Sequence, residues 1–426
     1  MALMRIPFGS TLRLHNHALF MEDVSLSALA AEHGTPLFAY SKAAMLQALA
    51  AYQKGLSGHQ GRVHYAMKAN GNLAILQTFI QAGCGIDIVS GGELARALHA
   101  GCPAEHIIFS GVGKTRQEMA QALQAGIGCF NVESLAELEV LNEVALSLNT
   151  RAPVSLRVNP DVDAKTHPYI STGLKDNKFG IAHDDAIAAF QRAHALPGLR
   201  VKGIDCHIGS QITQVSPYLD AMDKMLDLVE AVQAQGVPID HIDFGGGLGI
   251  DYDGDTPPAA DDLWAQLFAR VDARGFGDKH FSLEPGRSLV GNAGVCLTEV
   301  QYLKPGEHKN FCIVNAAMND LPRPSLYQAF HEVLPVSPSS AAAQTWDIVG
   351  PVCESGDWLA KDRLLAVAPG DVLAVASAGA YCMSMASNYN ARTRAKEVLI
   401  DGAKVHVIRE RETVHDLWRD ERLLLS

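Results

Sequence analysis

Several short segments of this 426-residue sequence combine residue types that can perform covalent and acid–base chemistry. The segment HYAMKAN places Lys68 at the end of a β-rich run, where a lysine can form a Schiff base or simply extend its charge to solvent. The segment HIGSQ carries His207 and Ser210, and EPGR carries Glu284 and Arg287 on either side of a rigid turn. These segments therefore supply an amine, an imidazole, a carboxylate and a guanidinium.

A further segment, FGGGLG, contains three successive glycines at Gly245, Gly246 and Gly247. Successive glycines leave backbone N–H groups free to surround an anion such as phosphate. The alternative is a tight turn from a strand to a helix. The spacing matches neither a dinucleotide-binding fingerprint nor a Walker A loop, so nucleotide binding is not expected.

Eight β-rich runs, most followed by amphipathic Ala/Leu-rich stretches, predict a parallel sheet with helical crossovers. They occupy about 250 residues, the usual size of a (β/α)8 barrel. A polar insertion over 161–180 interrupts the fifth interval. The predicted strands cover 62–68, 85–90, 107–110, 129–133, 154–159, 203–208, 241–245 and 280–284.

In such barrels the reactive groups lie at the carboxyl ends of the strands. Asp87, Glu133 and Arg157 join the residues above at these ends, although an isolated acid there more often caps the next helix. A phosphate nest, a lysine, an acid and an arginine facing one opening indicate a phosphorylated carbonyl cofactor. Pyridoxal 5'-phosphate has that chemistry.

After residue 285 the pattern changes to strands with few helices between them, at 288–302, 311–314, 345–349, 371–375 and 396–407. We therefore predict a cofactor-binding α/β barrel over 36–285 and a second, mostly β domain, sandwich-like or barrel-like, over 286–426. The segment 1–35 contains a hairpin-like start at 12–21, and we expect it to contribute a strand to the second domain.

Composition excludes several classes of function. The 35 Lys and Arg against 47 Asp and Glu give a formal charge of −12, so there is no basic field for nucleic acid or anionic lipid. The longest charge-free run, 372–391, contains serines and asparagines and is not expected to span a membrane. The eight cysteines lack metal-site or redox spacing and the N-terminus lacks a secretory pattern, so we expect a cytoplasmic protein with mostly buried thiols.

In order and spacing, HYAMKANGN, HIGSQ, FGGGLGIDY, EPGR, RPSLY and GPVCESGD resemble the fold type III pyridoxal-phosphate decarboxylases over almost the whole chain. Within that family, the chain is most similar to the members that act on diaminopimelate. The resemblance implies that Lys68 attaches the cofactor covalently and that His207 stacks on its ring. It also assigns Glu284 to the pyridine nitrogen, with Asp87 and Arg157 as supporting residues.

For the phosphate, the resemblance implies Ser210, Gly245–Gly247, Arg287 and Tyr381. Diaminopimelate ends in a second amino-acid group, which requires a carboxylate clamp and an acid. In the family, residues matching Arg287, Arg323 and Tyr327 bind that carboxylate. Arg323 and Tyr327 are four residues apart in RPSLYQAFH, a spacing that places them on one side of a short helix. Alternatively, this segment is only the start of a helix. Glu354 matches the acid for the distal ammonium, and Tyr381 also borders the substrate. The insertion segment 167–181 resembles a specificity loop, or is a surface loop.

Cys353 is, by resemblance, supplied by the partner subunit of a homodimer and is a candidate to protonate the carbon that has lost carbon dioxide. A lone cysteine is otherwise more often inert packing.

The expected function is therefore decarboxylation of meso-2,6-diaminopimelate to L-lysine, the last step of bacterial lysine synthesis. Alternatives within the fold are decarboxylation of ornithine, arginine or carboxynorspermidine and, further off, an alanine-racemase-like activity. A non-catalytic regulator would not need Lys68, His207 and Glu284, and a metal-dependent barrel hydrolase would need more than one histidine at the strand ends. We therefore expect no metal.

Overall fold

Two units make up the computed structural model, which describes residues 5–162 and 178–424. The first, called the barrel unit, comprises Leu46–Ile250 and Thr256–Leu289. The second, called the β unit, comprises the described residues up to Met45, the short segment Asp251–Asp255, and those from Val290 onward. Within the described ranges, no helix is both long enough and apolar enough to cross a membrane.

The N-terminal segment begins with a small antiparallel sheet of three strands, β1 (Leu12–His15), β2 (Ala18–Met21) and β3 (Val24–Ser25). Helix α1 (Leu26–His33) follows, with the hydroxyl of Ser25 accepting from the N–H of Ala28. Strand β4 (Leu37–Ser41) is wholly buried, and helix α2 (Lys42–Gly55) leads into the barrel unit.

All eight predicted barrel strands are present and parallel. The barrel closes because β9 pairs with both β8 and β11, so each strand has two neighbours. A ninth short strand, β10, pairs with the carboxyl end of β9. The strands are β5 (Gln60–Ala66), β6 (Gly85–Ile88), β7 (Ile107–Phe109), β8 (Cys129–Val132), β9 (Ala152–Asn159), β10 (Ile181–Ala182), β11 (Leu199–Asp205), β12 (His241–Asp243) and β13 (His280–Leu283).

Helices separate most of these strands, as the amphipathic stretches predict, and three of them begin at a serine or threonine whose side chain accepts a backbone N–H: Ser90, Thr115 and Ser134. These caps end the preceding loop within a few residues of a strand and so hold the strand ends in place. The helices are α3 (Leu73–Gln81), α4 (Gly91–His99), α5 (Arg116–Ala125), α6 (Leu135–Ser147), α7 (Ala186–Ala195), α8 (Ser216–Ala234) and α9 (Ala260–Ala273).

The β unit contains a nine-stranded mixed sheet in which β4 lies between β14 and β20. Its core consists of aliphatic side chains, including Leu37, Leu297 and Val398. Helix α10 (Arg287–Val290) precedes β14, and its first three residues belong to the barrel unit. The remaining elements are β14 (Gly294–Lys304), β15 (Phe311–Val314), α11 (Arg323–Tyr327), β16 (Val333–Pro335), β17 (Gln344–Val349), β18 (Trp358–Leu365), β19 (Val372–Val375), β20 (Lys396–Asp401) and β21 (Lys404–Arg409).

The structure differs from the sequence-based expectations in several places. The run 288–302 begins with the short helix α10 before β14, and 396–407 is a hairpin, since the chain turns at Gly402 with φ of 64°. The segment 12–21 belongs to the β unit, as expected, but it forms its own small sheet, and β4 is the strand that joins the large sheet. The division between the units consequently falls at Met45 rather than at residue 35, and a short segment, Asp251–Asp255, belongs to the β unit.

Gly203 lies where β11 shifts register against β9, and it pairs with His241 on β12. A Cβ atom there would meet the carbonyl oxygen of His241 at 1.9 Å. We expect Gly203→Ala to lower the free energy of unfolding by about 1–3 kcal/mol, because backbone must move to admit the methyl group. Urea unfolding followed by tryptophan fluorescence measures the change.

The matched control is Gly113→Ala, since Gly113 is exposed and a Cβ there meets nothing within 4 Å. Its effect should stay within about 0.5 kcal/mol. Equal unfolding midpoints for the two variants would show that the close approach at Gly203 is not a constraint on the barrel.

Candidate active site

Lys68 lies at the carboxyl end of β5, on the side of the barrel unit called the barrel mouth. The strand ends at Ala66, whose N–H donates to the carbonyl of Pro285 at 3.0 Å, and residues Met67–Ala69 form one turn of 3-10 helix. The hydroxyl of Tyr65 holds this turn by donating to the carbonyl of Asn70 at 3.0 Å. The lysine therefore follows the strand predicted to contain it.

The amine of Lys68 is directed at Asp87, which lies on β6, one residue before the strand ends. Nζ lies 3.4 Å from Oδ2 of Asp87, and the side chain of Lys68 is 41% exposed whereas that of Asp87 is 0% exposed. The other oxygen, Oδ1, is buried and has no hydrogen-bond partner among the described residues. A buried carboxylate thus faces an amine that remains accessible from the barrel mouth.

Three further acids converge at the ends of β11, β12 and β13. One carboxylate oxygen from each of Asp205, Asp243 and Glu284 lies within 4.8 Å of the other two, and all three residues are buried. Asn131 donates to Oε1 of Glu284 at 3.2 Å, and the N–H of Gly245 donates to Oδ1 of Asp243 at 2.8 Å. We call these three acids the acid cluster.

Burial raises the pKa of every member of the acid cluster. For Glu284 and Asp205 burial and the negative charge of Asp243 raise the pKa well above its usual range, and for Asp243 burial raises the pKa to about 7. Carboxylates this close cannot all be ionised, so the cluster retains protons at neutral pH. It is suited to facing a cationic N–H group that would share or replace those protons.

Arg157 and Glu133 form a buried ion pair beside the acid cluster. Nη1 of Arg157 lies 2.9 Å from Oε1 of Glu133, and Nε lies 3.9 Å from Asp205. Burial alone would lower the pKa of Arg157, but these carboxylates raise it, so the guanidinium stays charged. Glu133 also accepts the N–H groups of Gly111 and Gly180, both at 3.0 Å, and therefore does more than cap a helix.

The glycine triplet forms a turn that only glycine fits. Gly245 and Gly247 have φ of 64° and 103°, and a Cβ at Gly246 would lie 2.2 Å from the carbonyl oxygen of Glu284. Nearby, Nη2 of Arg287 donates to the hydroxyl of Ser210 at 3.0 Å. The turn and this arginine–serine pair offer backbone N–H groups, a hydroxyl and a positive charge, which is the donor set that a phosphate group requires.

His207 is held neutral next to this turn. The N–H of Gly246 donates to its Nδ1 at 3.3 Å, so in the neutral ring the proton resides on Nε2. Desolvation lowers the pKa of His207 well below its usual range, and the charges of Arg157 and Lys68 lower it further. A neutral imidazole can lie against an aromatic ring without adding positive charge.

The remaining predicted residues lie in the β unit. Arg323 and Tyr327 share helix α11, and Cys353 and Glu354 lie in the loop between β17 and β18. Ser325 of α11 donates to the carbonyl of Gly356 at 2.5 Å, which joins the helix to that loop.

Tyr381 follows β19 with φ of 58°, in the same unit. The predicted specificity segment 167–181 lies outside the described residues except for 178–181.

Cys353 differs from the other seven cysteines in being exposed. Its N–H donates to the side chain of Asn390 at 3.0 Å. In the same loop, a hydrogen bond to the carboxylate of Glu354 raises the pKa of Tyr389. The buried cysteines confirm the expectation of inert packing for most thiols, and burial raises the pKa of Cys84 and Cys312 to about 12.

Sequence reasoning missed several residues of the barrel mouth. Three of them lie on strands, each two residues before a residue that was predicted: Asp205 before His207, Asp243 before Gly245 and Asn131 before Glu133. Glu93 of α4 was also missed; burial raises its pKa to about 7, although it accepts the N–H of Val89 at 2.7 Å. The signal that could have identified them is a polar residue on an otherwise apolar strand, because polar residues are uncommon on buried strands.

A protein-family model described as "Pyridoxal-dependent decarboxylase, pyridoxal binding domain" matches residues 42–291. With the closed barrel, the lysine and the acid cluster, this match shows that the chain belongs to the pyridoxal-dependent decarboxylases. Diaminopimelate decarboxylase from Pseudomonas aeruginosa is 55% identical over 406 residues, covering 95% of this chain and 97% of that one. The enzyme of that name from Vibrio cholerae is 51% identical with the same coverage.

Comparison with solved structures indicates the same family. Helicobacter pylori diaminopimelate decarboxylase complexed with L-lysine is 41% identical, with a TM-score of 0.89 over 93% of this chain and 99% of that one. The M. jannaschii enzyme in co-complex with L-lysine is 38% identical, with a TM-score of 0.92 over 98% and 99%. The chain is thus a member of the diaminopimelate decarboxylase family.

The acid cluster predicts an unusual pH dependence of stability in the cofactor-free protein. Because the folded pKa of Asp243 is raised from 3.8 to about 7, the folded state holds a proton that the unfolded chain releases above its own pKa. The free energy of unfolding should therefore fall as pH rises from about 4 to about 7, by roughly 1.4 kcal/mol per unit of raised pKa. Urea midpoints measured across this range test the expectation.

Asp243→Asn should flatten this decline, because the amide oxygen can still accept from Gly245 while one ionisable group is removed. Asp240→Asn, at an exposed position before the start of the same strand, is the control and should follow the wild type. Parallel pH curves for wild type and Asp243→Asn would contradict the assignment of a retained proton to this residue.

Proposed function

We propose that this chain removes carbon dioxide from the D-centre of meso-2,6-diaminopimelate and places a proton on the same carbon, giving L-lysine. The observation that carries this proposal is the convergence of Lys68 and the acid cluster at one barrel mouth, in a chain belonging to the diaminopimelate decarboxylase family. The cofactor would be pyridoxal 5'-phosphate. When bound, it supplies an aldehyde that captures an amine and a ring that accepts the electrons released with carbon dioxide.

The residues of the barrel mouth suit that cofactor. Lys68 is the accessible amine that would attach it, and Asp87 holds this amine in place. Glu284 would accept the N–H of the pyridine ring, an interaction favoured because a cationic N–H offsets the burial and mutual repulsion that raise the pKa of this carboxyl group. His207 would cover one face of the ring, and Arg157 would keep the surrounding acids compensated.

The phosphate would bind at the glycine turn, where Gly245–Gly247, Ser210 and Arg287 provide N–H groups, a hydroxyl and a charge. Tyr381 is a further candidate for this role by its position in the family motif. In the β unit, Arg323 and Tyr327 would bind the distal carboxylate and Glu354 the distal ammonium. Together with Arg287, these assignments favour diaminopimelate over diamine-forming substrates, which have no distal carboxylate.

Cys353 is assigned to the proton transfer that follows loss of carbon dioxide, with the thiol supplied by the second copy of a homodimer. Support comes from its exposure, which distinguishes it from the other seven cysteines. Exposed apolar side chains on the same unit, such as Leu326 and Tyr389, are suited to burial in an interface. An exposed thiol that must stay reduced also favours the cytoplasm as the site of action.

The proposal is tested by offering the purified protein, with pyridoxal 5'-phosphate, four substrates separately: meso-diaminopimelate, ornithine, arginine and carboxynorspermidine. Mass spectrometry of the products should find L-lysine from diaminopimelate and no decarboxylated product from the other three. Decarboxylation of another substrate instead would overturn the roles of Arg323 and Glu354, and no product from any would favour a non-catalytic homologue.

Lys68→Ala should reduce turnover of diaminopimelate by about 10³-fold or more and abolish covalent attachment of the cofactor, measured by borohydride reduction and mass spectrometry. Lys54→Ala is the matched control, because Lys54 is an exposed lysine of the same unit that pairs with Asp261. Substantial turnover by Lys68→Ala with added cofactor would remove Lys68 from its role.

Cys353→Ser should lower kcat by about 10²-fold while the affinity for pyridoxal 5'-phosphate, measured from the visible absorbance, changes little. Mixing the inactive Lys68→Ala and Cys353→Ser proteins should restore about a quarter of the wild-type activity if each site uses residues of two copies. Absence of any restoration in protein shown to exchange subunits would contradict shared sites.

A further inference from the structure

His331, at the end of the segment RPSLYQAFH, is completely buried and has no role in the function proposed above. Its Nδ1 lies 2.9 Å from the carbonyl oxygen of Ala376. A carbonyl oxygen can only accept, so the ring proton must reside on Nδ1. This leaves the Nε2 lone pair as an acceptor and fixes the tautomer of the neutral ring.

The group that donates to this lone pair is Arg323. Its Nη1 lies 2.8 Å from Nε2 of His331, and both residues are buried. Guanidinium groups have five donors and no acceptor, so the direction of this hydrogen bond is unambiguous. The backbone at Ala376 thereby sets the ring of His331, and the ring in turn sets one edge of the guanidinium of Arg323.

Tyr252 contacts the same guanidinium through its ring. Cζ of Arg323 lies 4.4 Å from the centroid of the Tyr252 ring, and that ring meets His331 edge to face at 5.4 Å and 76°. Two neutral aromatic side chains therefore orient Arg323 from different directions. Neither contact cancels its positive charge, unlike a contact with a carboxylate.

The position of Tyr252 is itself fixed within the β unit. The neighbouring Asp251 accepts from Nη1 of Arg5 at 2.8 Å and from the N–H of Gly254 at 2.8 Å. Its carbonyl accepts from the hydroxyl of Ser377, the residue after Ala376, at 3.4 Å. The hydrogen bonds that position His331 and the residue before Tyr252 thus involve the adjacent residues Ala376 and Ser377, so the two aromatic side chains are fixed relative to the same segment.

We propose that His331 is a positioning residue that, with Tyr252, fixes the Arg323 guanidinium for bidentate binding of a substrate carboxylate. The proposal rests on the assignment of Arg323 to the distal carboxylate under the proposed function. A bidentate arginine–carboxylate pair depends on orientation, since both N–H groups must align with both oxygens. Loss of the Nε2 acceptor would let the guanidinium rotate and would weaken recognition of that carboxylate.

Two substitutions separate the two hydrogen bonds of His331. His331→Asn retains a donor for Ala376 but is too short to accept from Arg323, whereas His331→Gln places an oxygen near the position of Nε2. Binding to the holoenzyme is measured from the visible absorbance with two probes, L-lysine, which has a carboxylate, and cadaverine, which does not. The KM and kcat for meso-diaminopimelate are measured for the same proteins.

For His331→Asn we expect the Kd for L-lysine and the KM for diaminopimelate to rise about tenfold or more, because a hydrogen bond to a charged group is lost. The Kd for cadaverine should be unchanged. His331→Gln should remain within about threefold of the wild type in each quantity, because the acceptor is retained. Wild-type affinity for L-lysine in His331→Asn, or equal weakening of both probes, would overturn the proposal.

If His331→Asn does not fold, Tyr252→Leu provides the second variant, with Tyr252→Phe, which retains the ring, as its control. Tyr252→Leu should weaken L-lysine binding selectively, and equal behaviour of the two variants would contradict the role of the ring. The outcome is separable from the proposed function. A wild type that does not decarboxylate diaminopimelate but discriminates the probes through His331 would refute only the function, whereas an active wild type with no effect at His331 would refute only the positioning role.

Discussion

The removal of several carboxyl groups from water at one end of a closed barrel is the constraint on which the site depends. Asp205, Asp243 and Glu284 could each ionise at little cost in solvent, but burial raises the pKa of all three, and the charge of Asp243 raises the pKa of Asp205 and Glu284 further. The charges of Arg157 and Lys68 offset only part of this cost. The barrel must therefore be stable enough to hold a cluster that favours a bound cation or bound protons, and closure through the β8–β9 pairing provides that framework.

The same hydrogen bonds that terminate the strands also arrange the site. Asp243 accepts from Gly245, and Gly246 donates to His207, so the acid, the glycine turn and the imidazole form one connected unit. The N–H of Glu284 donates to the carbonyl of Gly245 at 2.6 Å, which joins the acid cluster to the turn. A side chain at Gly246 would break this connection, so the spacing of the glycines is required by the backbone as well as by any anion.

Much of the barrel could be predicted from sequence because each strand is a local apolar run followed by a helix with its own cap, and parallel order follows from that alternation. The place of β4 could not, since its partners β14 and β20 are more than 250 residues away in sequence. The site residues within sequence motifs, such as Lys68 and Glu284, could also be predicted, because each motif is a short local segment at the end of a strand. Asp205 and Asp243 were missed because each is an unremarked polar residue on its own strand, and their importance arises only from convergence. His331 requires a backbone carbonyl 45 residues away to fix its tautomer.

Two of the three buried arginines of the proposed site show how their surroundings determine what each can do. Arg157 contacts the carboxylates of Glu133 and Asp205, so its charge stabilises the folded barrel unit and is already compensated there. Arg323 is oriented by His331 and Tyr252, two neutral aromatic groups that fix direction without supplying negative charge. Contacts of this kind orient a guanidinium without themselves reducing its electrostatic attraction for a carboxylate. If Arg323 binds the distal carboxylate as proposed, the neutral tautomer of His331 contributes to substrate recognition, because a charged ring could not accept the hydrogen bond of Arg323.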